Sequence, residues 1–266
     1  MATIAALVTA ALLPGFTAVG HGPEGGQVLS GVFPGGQRPG YLYLPPRFDP
    51  AVRYPVVYLL HGIRGSPEEY LDGTDLAGFA DKAITDGRLQ PFIAVMPAAG
   101  PDRDYNGEWA GPWEQALLWT VDWTDANLPT IASAAGRVLA GLSAGGFGAM
   151  DIGLRHPSVF GRIEAWSGYF QPLRDGPFKQ ASNQLLAAND PTRLAVSEAS
   201  VLERKHTRFF ISSGPAHSHW FRPSASVDFA RELHSLGLPA ELRLFPDRKG
   251  EWREQLDAGL AWAFPG

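Results

Sequence analysis

The chain has 266 residues, 45% of them hydrophobic, and is long enough to bury the core of one large α/β domain. Its net charge of -5 and its pI near 5.8 show no basic surplus, which argues against nucleic acid as a partner. The chain contains no cysteine, which excludes disulfides, thiolate metal sites and a cysteine nucleophile.

Residues 1–20 are small or apolar and carry no charged side chain. Their length resembles the apolar region of a signal peptide, and Ala18-Val19-Gly20 is an acceptable cleavage site, although a basic segment is missing. A run of about 20 apolar residues is also close to membrane-spanning length, so a shortened membrane anchor is the alternative. The expectation is a secreted or cell-envelope protein, in which this segment could associate with the membrane; a cytoplasmic location stays open.

Residues 27–266 are predicted to form a single domain. An antiparallel hairpin at a sheet edge comes first, and buried strands then alternate with amphipathic helices. The predicted strands are 27–33, 41–44, 54–60, 91–97, 138–142, 162–167, 208–213 and 240–245, and the predicted helices are 75–86, 113–128, 147–154, 224–236 and 251–264. This order predicts a mostly parallel sheet with helices on both faces. Residues 168–205 show no clean period and contain three prolines, so they are predicted to be an irregular insertion over the site.

The chain is organised around residues 137–146, where a short apolar strand runs through Gly-x-Ser-x-Gly into a helix. This pattern is typical of a nucleophile elbow, a sharp turn that holds a serine hydroxyl clear of the sheet. Gly141 and Gly145 flank Ser143 because a Cβ there would collide with the neighbouring strand or helix. The free N–H groups at the start of the helix point at any negative charge that develops beside Ser143.

Several ordered segments make the chain resemble the α/β-hydrolase fold, and within it the esterase group that includes esterase D and the mycolyltransferases. The matching segments are 59–62 (LLHG), 91–97 (PFIAVMP), 109–114 (WAGPWE), 140–146 (AGLSAGG), 155–157 (RHP) and 166–170 (WSGYF). The similarity runs from about Gly40 to the C-terminus. It implies a serine esterase or acyltransferase that acts on a small-molecule ester or an acylated carbohydrate or lipid, without metal or cofactor.

The resemblance also implies which residues form the site. Ser143 would be the nucleophile, and the backbone N–H groups of Ile63 and Ala144 would form the oxyanion hole, which stabilises the tetrahedral intermediate. The side chains expected in the substrate pocket are His61, Arg64, Trp109 and Trp220. Packing beneath the insertion is an equal alternative for Trp109.

The general base is missing from the position where the resemblance would supply it. In that family an acidic residue follows the strand that here spans 208–213, and a histidine follows the last strand. Here His217 or a neighbour stands in the acid's place, and Lys249 or Gly250 stands in the histidine's place, with no histidine beyond His234. The standard triad is therefore broken.

Three interpretations of the broken triad stay open. In the first, His217 or His219 is the base, oriented by Glu251 or Asp247, because triads are defined by geometry rather than by chain order. In the second, Lys249 is the base, with a pKa lowered by burial or by a cationic neighbour. In the third, the protein has lost turnover and binds a carbohydrate or lipid in the same cleft. His217 and His219 could also bind a metal, but no clear third ligand accompanies them.

Overall fold

The computed structural model describes residues 13–102, 105–106, 108–215, 222–246 and 251–266, apart from the side chain of Glu251. These residues form a nine-stranded sheet with the strand order β1-β2-β3-β5-β4-β6-β7-β8-β9. The strands are β1 (Phe16–His21), β2 (Gln27–Gly31), β3 (Gly40–Leu44), β4 (Val56–Leu60), β5 (Ile93–Met96), β6 (Arg137–Leu142), β7 (Arg162–Trp166), β8 (Arg208–Ser213) and β9 (Ala240–Leu244). The first three strands are antiparallel to their neighbours, and the other six run parallel.

Helices cover both faces of this sheet. The α-helices are α1 (Leu76–Thr85), α2 (Pro112–Asn127), α3 (Ala144–Arg155), α4 (Asn183–Ala188), α5 (Pro191–Arg204), α6 (Pro223–Ser235) and α7 (Glu251–Ala263). Glu69–Gly73 forms a short π-helix, and Ala134–Gly136 and Gly176–Phe178 form single 3₁₀ turns. The mostly parallel α/β-hydrolase architecture that the sequence predicts is confirmed.

The two faces of β4 show why a continuous apolar run forms a central strand. All five of its side chains are buried. Tyr58 and Leu60 enter the core on the side of α2, α3, α5 and α6, whereas Val57 and Leu59 enter the core on the side of α1 and α7. Successive side chains of a strand point to opposite faces, so a strand covered on both sides is apolar throughout.

The sheet begins earlier than predicted. Phe16–His21 pairs with β2, so β1 is the edge strand and the predicted hairpin forms the second and third strands. Phe16 is buried and packs on Phe33 and Trp123, with ring centroids 5.1 and 5.0 Å away. The predicted signal peptide or anchor over 1–20 thus overlaps β1, while residues 1–12 lie outside the described residues. Within the part of the chain that is described, no helix has the length and apolar character needed to span a membrane.

The insertion predicted to be irregular over 168–205 is largely helical in its second half. Asp190 caps α5 by accepting the N–H groups of Thr192 and Arg193 at 3.1 and 3.3 Å, and proline occupies the first turn. Ala195 and Leu202 of α5 are buried in the core. The helical period is hidden in the sequence because Val196 lies on the exposed face, with 56% of its surface open to solvent.

Glu164 on β7 carries a fully buried carboxyl group. The indole N–H of Trp166 donates to its Oε2 at 2.9 Å, and Oε1 has no hydrogen-bond partner in the described structure. Gly259 of α7 packs directly against it, since a Cβ there would lie 2.2 Å from Oε2. Burial raises the pKa of Glu164 to about 8, so the group is mainly protonated in the folded protein at neutral pH.

We expect Glu164→Gln to stabilise the protein at alkaline pH. The pKa of about 8 in the folded protein lies above the unfolded value, so the folded state binds the extra proton. The wild type therefore loses stability as pH rises towards 8, whereas glutamine keeps an acceptor for Trp166 and does not titrate. Urea unfolding near pH 9 should show the variant more stable by about 2–4 kcal/mol, with a smaller difference near pH 5. Equal pH dependence in the two proteins would contradict the raised pKa.

Candidate active site

Ser143 lies at the turn between β6 and α3. Its backbone is held at φ 52° and ψ -116°, a region that non-glycine residues rarely adopt. A Cβ on Gly141 would lie 2.3 Å from the backbone carbonyl of Gly145, and a Cβ on Gly145 would lie 1.8 Å from the Leu60 oxygen. The structure therefore contains the strand, sharp turn and helix that the sequence pattern predicts. The Ser143 side chain is half-buried at the carboxyl edge of the sheet.

The loop that follows β4 runs directly beside this turn. A Cβ built on Gly62 would lie 3.5 Å from Cβ of Ser143. Ile63 is the next residue of this loop, and Ala144 is the first residue of α3, whose N–H has no acceptor within the helix. Ile63 and Ala144 are both among the residues that line one narrow cavity next to this loop.

His61, predicted as a substrate-pocket residue, lines the same narrow cavity, and both of its ring nitrogens are hydrogen-bonded to backbone atoms. It is buried, its Nδ1 lies 2.8 Å from the Gly62 oxygen, and its Nε2 lies 3.1 Å from the Ala99 nitrogen. The Ala99 N–H must donate to Nε2, which assigns the ring proton to Nδ1. Burial lowers the pKa of His61 to about 4, so the ring is neutral above about pH 5.

Two other predicted pocket residues, Trp109 and Arg64, are not among the described residues that line the cavity beside Ser143, and for Trp109 the packing alternative applies. Trp109 is buried, and its indole N–H donates to the His61 oxygen at 2.9 Å. A Cβ on Gly148 would lie 2.6 Å from the Trp109 Cβ, so Trp109 packs against α3, and it also lines the narrow cavity with Ile63 and Ala144. Arg64 is exposed at φ 57° and is not among the described residues that line the cavity beside Ser143.

A cavity of about 400 Å³ opens beside Ser143. Its described lining is Gly62, Ile63, Glu69, Gly73, Thr74, Leu142, Ser143 and Trp252. Ile63 and Trp252 expose 38% and 36% of their surface, which gives the cavity apolar walls next to the hydroxyl. The sequence interpretation missed the π-helix and Trp252 as pocket residues. The position of Trp252 at the start of a helix that follows a parallel strand was the available signal, because ligands bind at this edge of such sheets.

The candidate bases lie outside the described residues. These are His217, His219 and Lys249, together with Trp220 and the side chain of Glu251. The described histidines are His21, His61, His156, His206 and His234, and no side chain in the described part of the chain hydrogen-bonds to the Ser143 hydroxyl. Strands β8 and β9 run parallel to β6, so the loops after Ser213 and Leu244 leave the sheet at the edge where Ser143 lies.

The neutral state of His61 predicts a loss of stability in acid. Its pKa in the folded protein, about 4, lies below the unfolded value, so unfolding takes up a proton between these values and stability falls with pH across that window. Between about pH 7 and pH 4, we expect the free energy of unfolding of His61→Gln to fall by about 2–3 kcal/mol less than that of the wild type. Urea unfolding at both pH values measures this, with the exposed His234→Gln as control. If the stability of His61→Gln changed with pH as steeply as that of the wild type, the lowered pKa of His61 would be contradicted.

Comparisons with known proteins bear on the chain as a whole. The family model described as Putative esterase matches residues 32–263. An esterase of Mycobacterium tuberculosis is 28% identical over 224 residues, which cover 73% of this chain and 48% of that protein. An endo-1,4-beta-xylanase/feruloyl esterase of Xylanibacter ruminicola is 37% identical over 139 residues, 48% of this chain and 19% of that protein. The chain thus spans at most about half the length of these two relatives.

Solved structures show the same fold. A ferulic acid esterase superimposes with a TM-score of 0.73 at 19% identity, covering 94% of this chain and 96% of that one. An S-formylglutathione hydrolase of Staphylococcus aureus superimposes with a TM-score of 0.68 at 18% identity, covering 93% and 98%. At these identities the likeness extends to the architecture and no further.

Proposed function

Because this chain belongs to the Putative esterase family, we propose that it is a serine carboxylic-ester hydrolase that acts through an acyl-Ser143 intermediate. The observation that carries the proposal is the strained turn at Ser143, which presents a half-buried hydroxyl at the carboxyl edge of the sheet. Strain of this kind persists where the surroundings enforce it, and here Leu60, Gly141 and Gly145 are in backbone contact around the turn.

The proposed reaction uses the backbone of two segments and one side-chain hydroxyl. The Ser143 oxygen attacks the ester carbonyl as its proton passes to a base, and the N–H groups of Ile63 and Ala144 stabilise the oxyanion. Collapse of the intermediate expels the alcohol, which takes up the proton, and leaves the acyl group on Ser143. Water then attacks the acyl-enzyme and gives a proton to the same base, and collapse of the second intermediate releases the carboxylic acid as the base returns that proton to the Ser143 oxygen. An acceptor alcohol in place of water would give acyl transfer.

For the base we propose an imidazole, from His217 or His219. Both residues follow β8 in the chain, and Asp247 and Lys249 follow the adjacent β9; both strands end at the edge of the sheet where Ser143 lies. A histidine from one loop and a carboxylate from the next preserve the roles of a triad in a different chain order. Lys249 is the alternative base.

The proposed substrates are esters of small molecules, including acylated carbohydrates or lipids. A volume of about 400 Å³ is within the range of small-molecule sites, and the exposed faces of Ile63 and Trp252 suit an apolar acyl or alcohol group. The xylanase/feruloyl esterase relative and the ferulic acid esterase structure support including aromatic acyl groups among the candidates.

Ester hydrolysis and covalent labelling together test this function. We expect the wild type to hydrolyse p-nitrophenyl acetate or butyrate, and an alkyl fluorophosphonate to stop turnover while adding one phosphonyl group to the peptide that contains Ser143. Peptide mass spectrometry locates the label. Background hydrolysis with an unlabelled Ser143 would instead support a binding protein that has lost turnover.

A further inference from the structure

Tyr70 is a fully buried tyrosine in the π-helix that forms one wall of the cavity beside Ser143. Its hydroxyl donates a hydrogen bond of 2.7 Å to the backbone oxygen of Leu60, the last residue of β4. The end of the π-helix holds the backbone of this tyrosine in place, because the Thr74 hydroxyl donates to the backbone carbonyl oxygen of Tyr70 at 2.8 Å. The hydroxyl therefore reaches from the cavity wall to the end of β4, which leads into residues 61–63, called here the oxyanion loop because Ile63 is a proposed oxyanion donor.

The Leu60 backbone oxygen lies where the end of β4 packs against the turn that contains Ser143. A Cβ on Gly145 would be 1.8 Å from this oxygen and a Cβ on Gly141 would be 2.8 Å from it, so the elbow packs directly against it. The Tyr70 ring also packs edge-to-face on Trp166, with centroids 6.4 Å apart. The Trp166 oxygen accepts the N–H of Ser143 at 2.9 Å. Tyr70 thus contacts the strands on both sides of the one that ends in Ser143.

The backbone carbonyl of the next residue, His61, is hydrogen-bonded from the opposite face of the sheet. The His61 oxygen accepts the Trp109 indole N–H, while Tyr70 belongs to the opposite core layer with Leu59 and Trp166. Two consecutive carbonyl groups are therefore each fixed by one aromatic donor. This arrangement determines the direction in which the peptide groups of His61, Gly62 and Ile63 leave the strand.

We propose that the Tyr70 hydroxyl is a positioning group for catalysis, which sets the oxyanion loop and the elbow relative to each other. The inference rests on the proposed esterase function. It requires neither contact between Tyr70 and substrate nor ionisation of the phenol. Removing the hydroxyl alone should allow the end of β4 to shift against the elbow, which lowers kcat because the transition state depends on donor geometry more steeply than substrate binding does.

Tyr70→Phe tests this role, with Tyr43→Phe as its matched control. Tyr43 is also fully buried and donates one hydrogen bond, of 2.8 Å, to Asp81, a residue that does not line the cavity beside Ser143. We expect Tyr70→Phe to lower kcat for p-nitrophenyl butyrate by roughly tenfold, with KM changed less than about twofold. Tyr43→Phe should change neither constant by more than about twofold, although both variants should show a lower Tm.

The possible outcomes distinguish a failure of the positioning role from a failure of the proposed esterase function. Wild-type kcat in Tyr70→Phe, measured well below its Tm, would overturn the positioning role and leave the esterase proposal intact. Equal losses of kcat in both variants would also overturn it, because a general loss of packing would then explain the effect. A wild type that neither hydrolyses esters nor reacts with the fluorophosphonate would overturn both.

Discussion

Replacing Ser143 with alanine is expected to abolish nearly all ester hydrolysis, with kcat reduced by at least about 10³-fold. The acyl-enzyme cannot form without the hydroxyl, and the oxyanion donors alone retain little catalysis. The change should leave the fold intact, because the side chain is half-buried and makes no hydrogen bond to a described side chain. The backbone strain at φ 52° is also similar for alanine and serine, because both residues have a Cβ.

The measurement is the rate of p-nitrophenyl butyrate hydrolysis by purified variants of matched Tm. Ser158→Ala is the control, since Ser158 is exposed in a turn beyond the far end of α3. Phosphonate labelling should disappear in Ser143→Ala and persist in Ser158→Ala. Substantial hydrolysis by Ser143→Ala would show that the nucleophile is elsewhere and would remove the basis of the proposed mechanism.

Gly145→Ala is expected to cost more than about 4 kcal/mol of unfolding free energy, and we expect most of the variant to be recovered as insoluble protein. The new Cβ would lie 1.8 Å from the oxygen and 2.5 Å from the carbon of the Leu60 carbonyl, and 2.8 Å from the His61 oxygen. All three are backbone atoms, so no side-chain rotation relieves the overlap. Either the first turn of α3 or the end of β4 must move.

Soluble yield, thermal unfolding and ester hydrolysis measure the effect. Gly20→Ala on β1 is the matched control, because its Cβ would meet only the Val28 Cβ at an ordinary 3.8 Å. The control should keep the Tm and kcat of the wild type. A soluble Gly145→Ala protein with a wild-type Tm would contradict the close approach of Leu60 to the elbow.

The central parallel strands were predictable because burial on both faces leaves a plain signal. Strand β8 has the predicted bounds 208–213, and β4 is apolar at every position. The turn at Ser143 was also predictable, since only glycine fits on either side of it. Such features leave their signal in a short continuous stretch of sequence, even where the contact that requires it, as between Gly145 and Leu60, joins distant segments.

Other features depend on contacts between distant segments, which a single sequence does not reveal. Phe16 looks like the end of an apolar leader until Phe33 and Trp123 are placed around it. His61 looks like a polar group at a pocket until both ring nitrogens are paired. The same applies to the base, because the distance from His217, His219 or Lys249 to Ser143 is a property of the folded loops.

The aromatic donors on two successive carbonyl groups have a consequence for ligand recognition. Hydrogen bonds from Trp109 and Tyr70, on opposite faces of the sheet, restrain the start of this loop, so it loses little conformational entropy when a ligand binds. Crystals soaked with a phosphonate should therefore show residues 60–63 in the same place as before. Selectivity among ligands would then depend on the shape of a preformed cavity. Substitutions of Ile63 or Trp252, which line it, would be the direct way to change that selectivity.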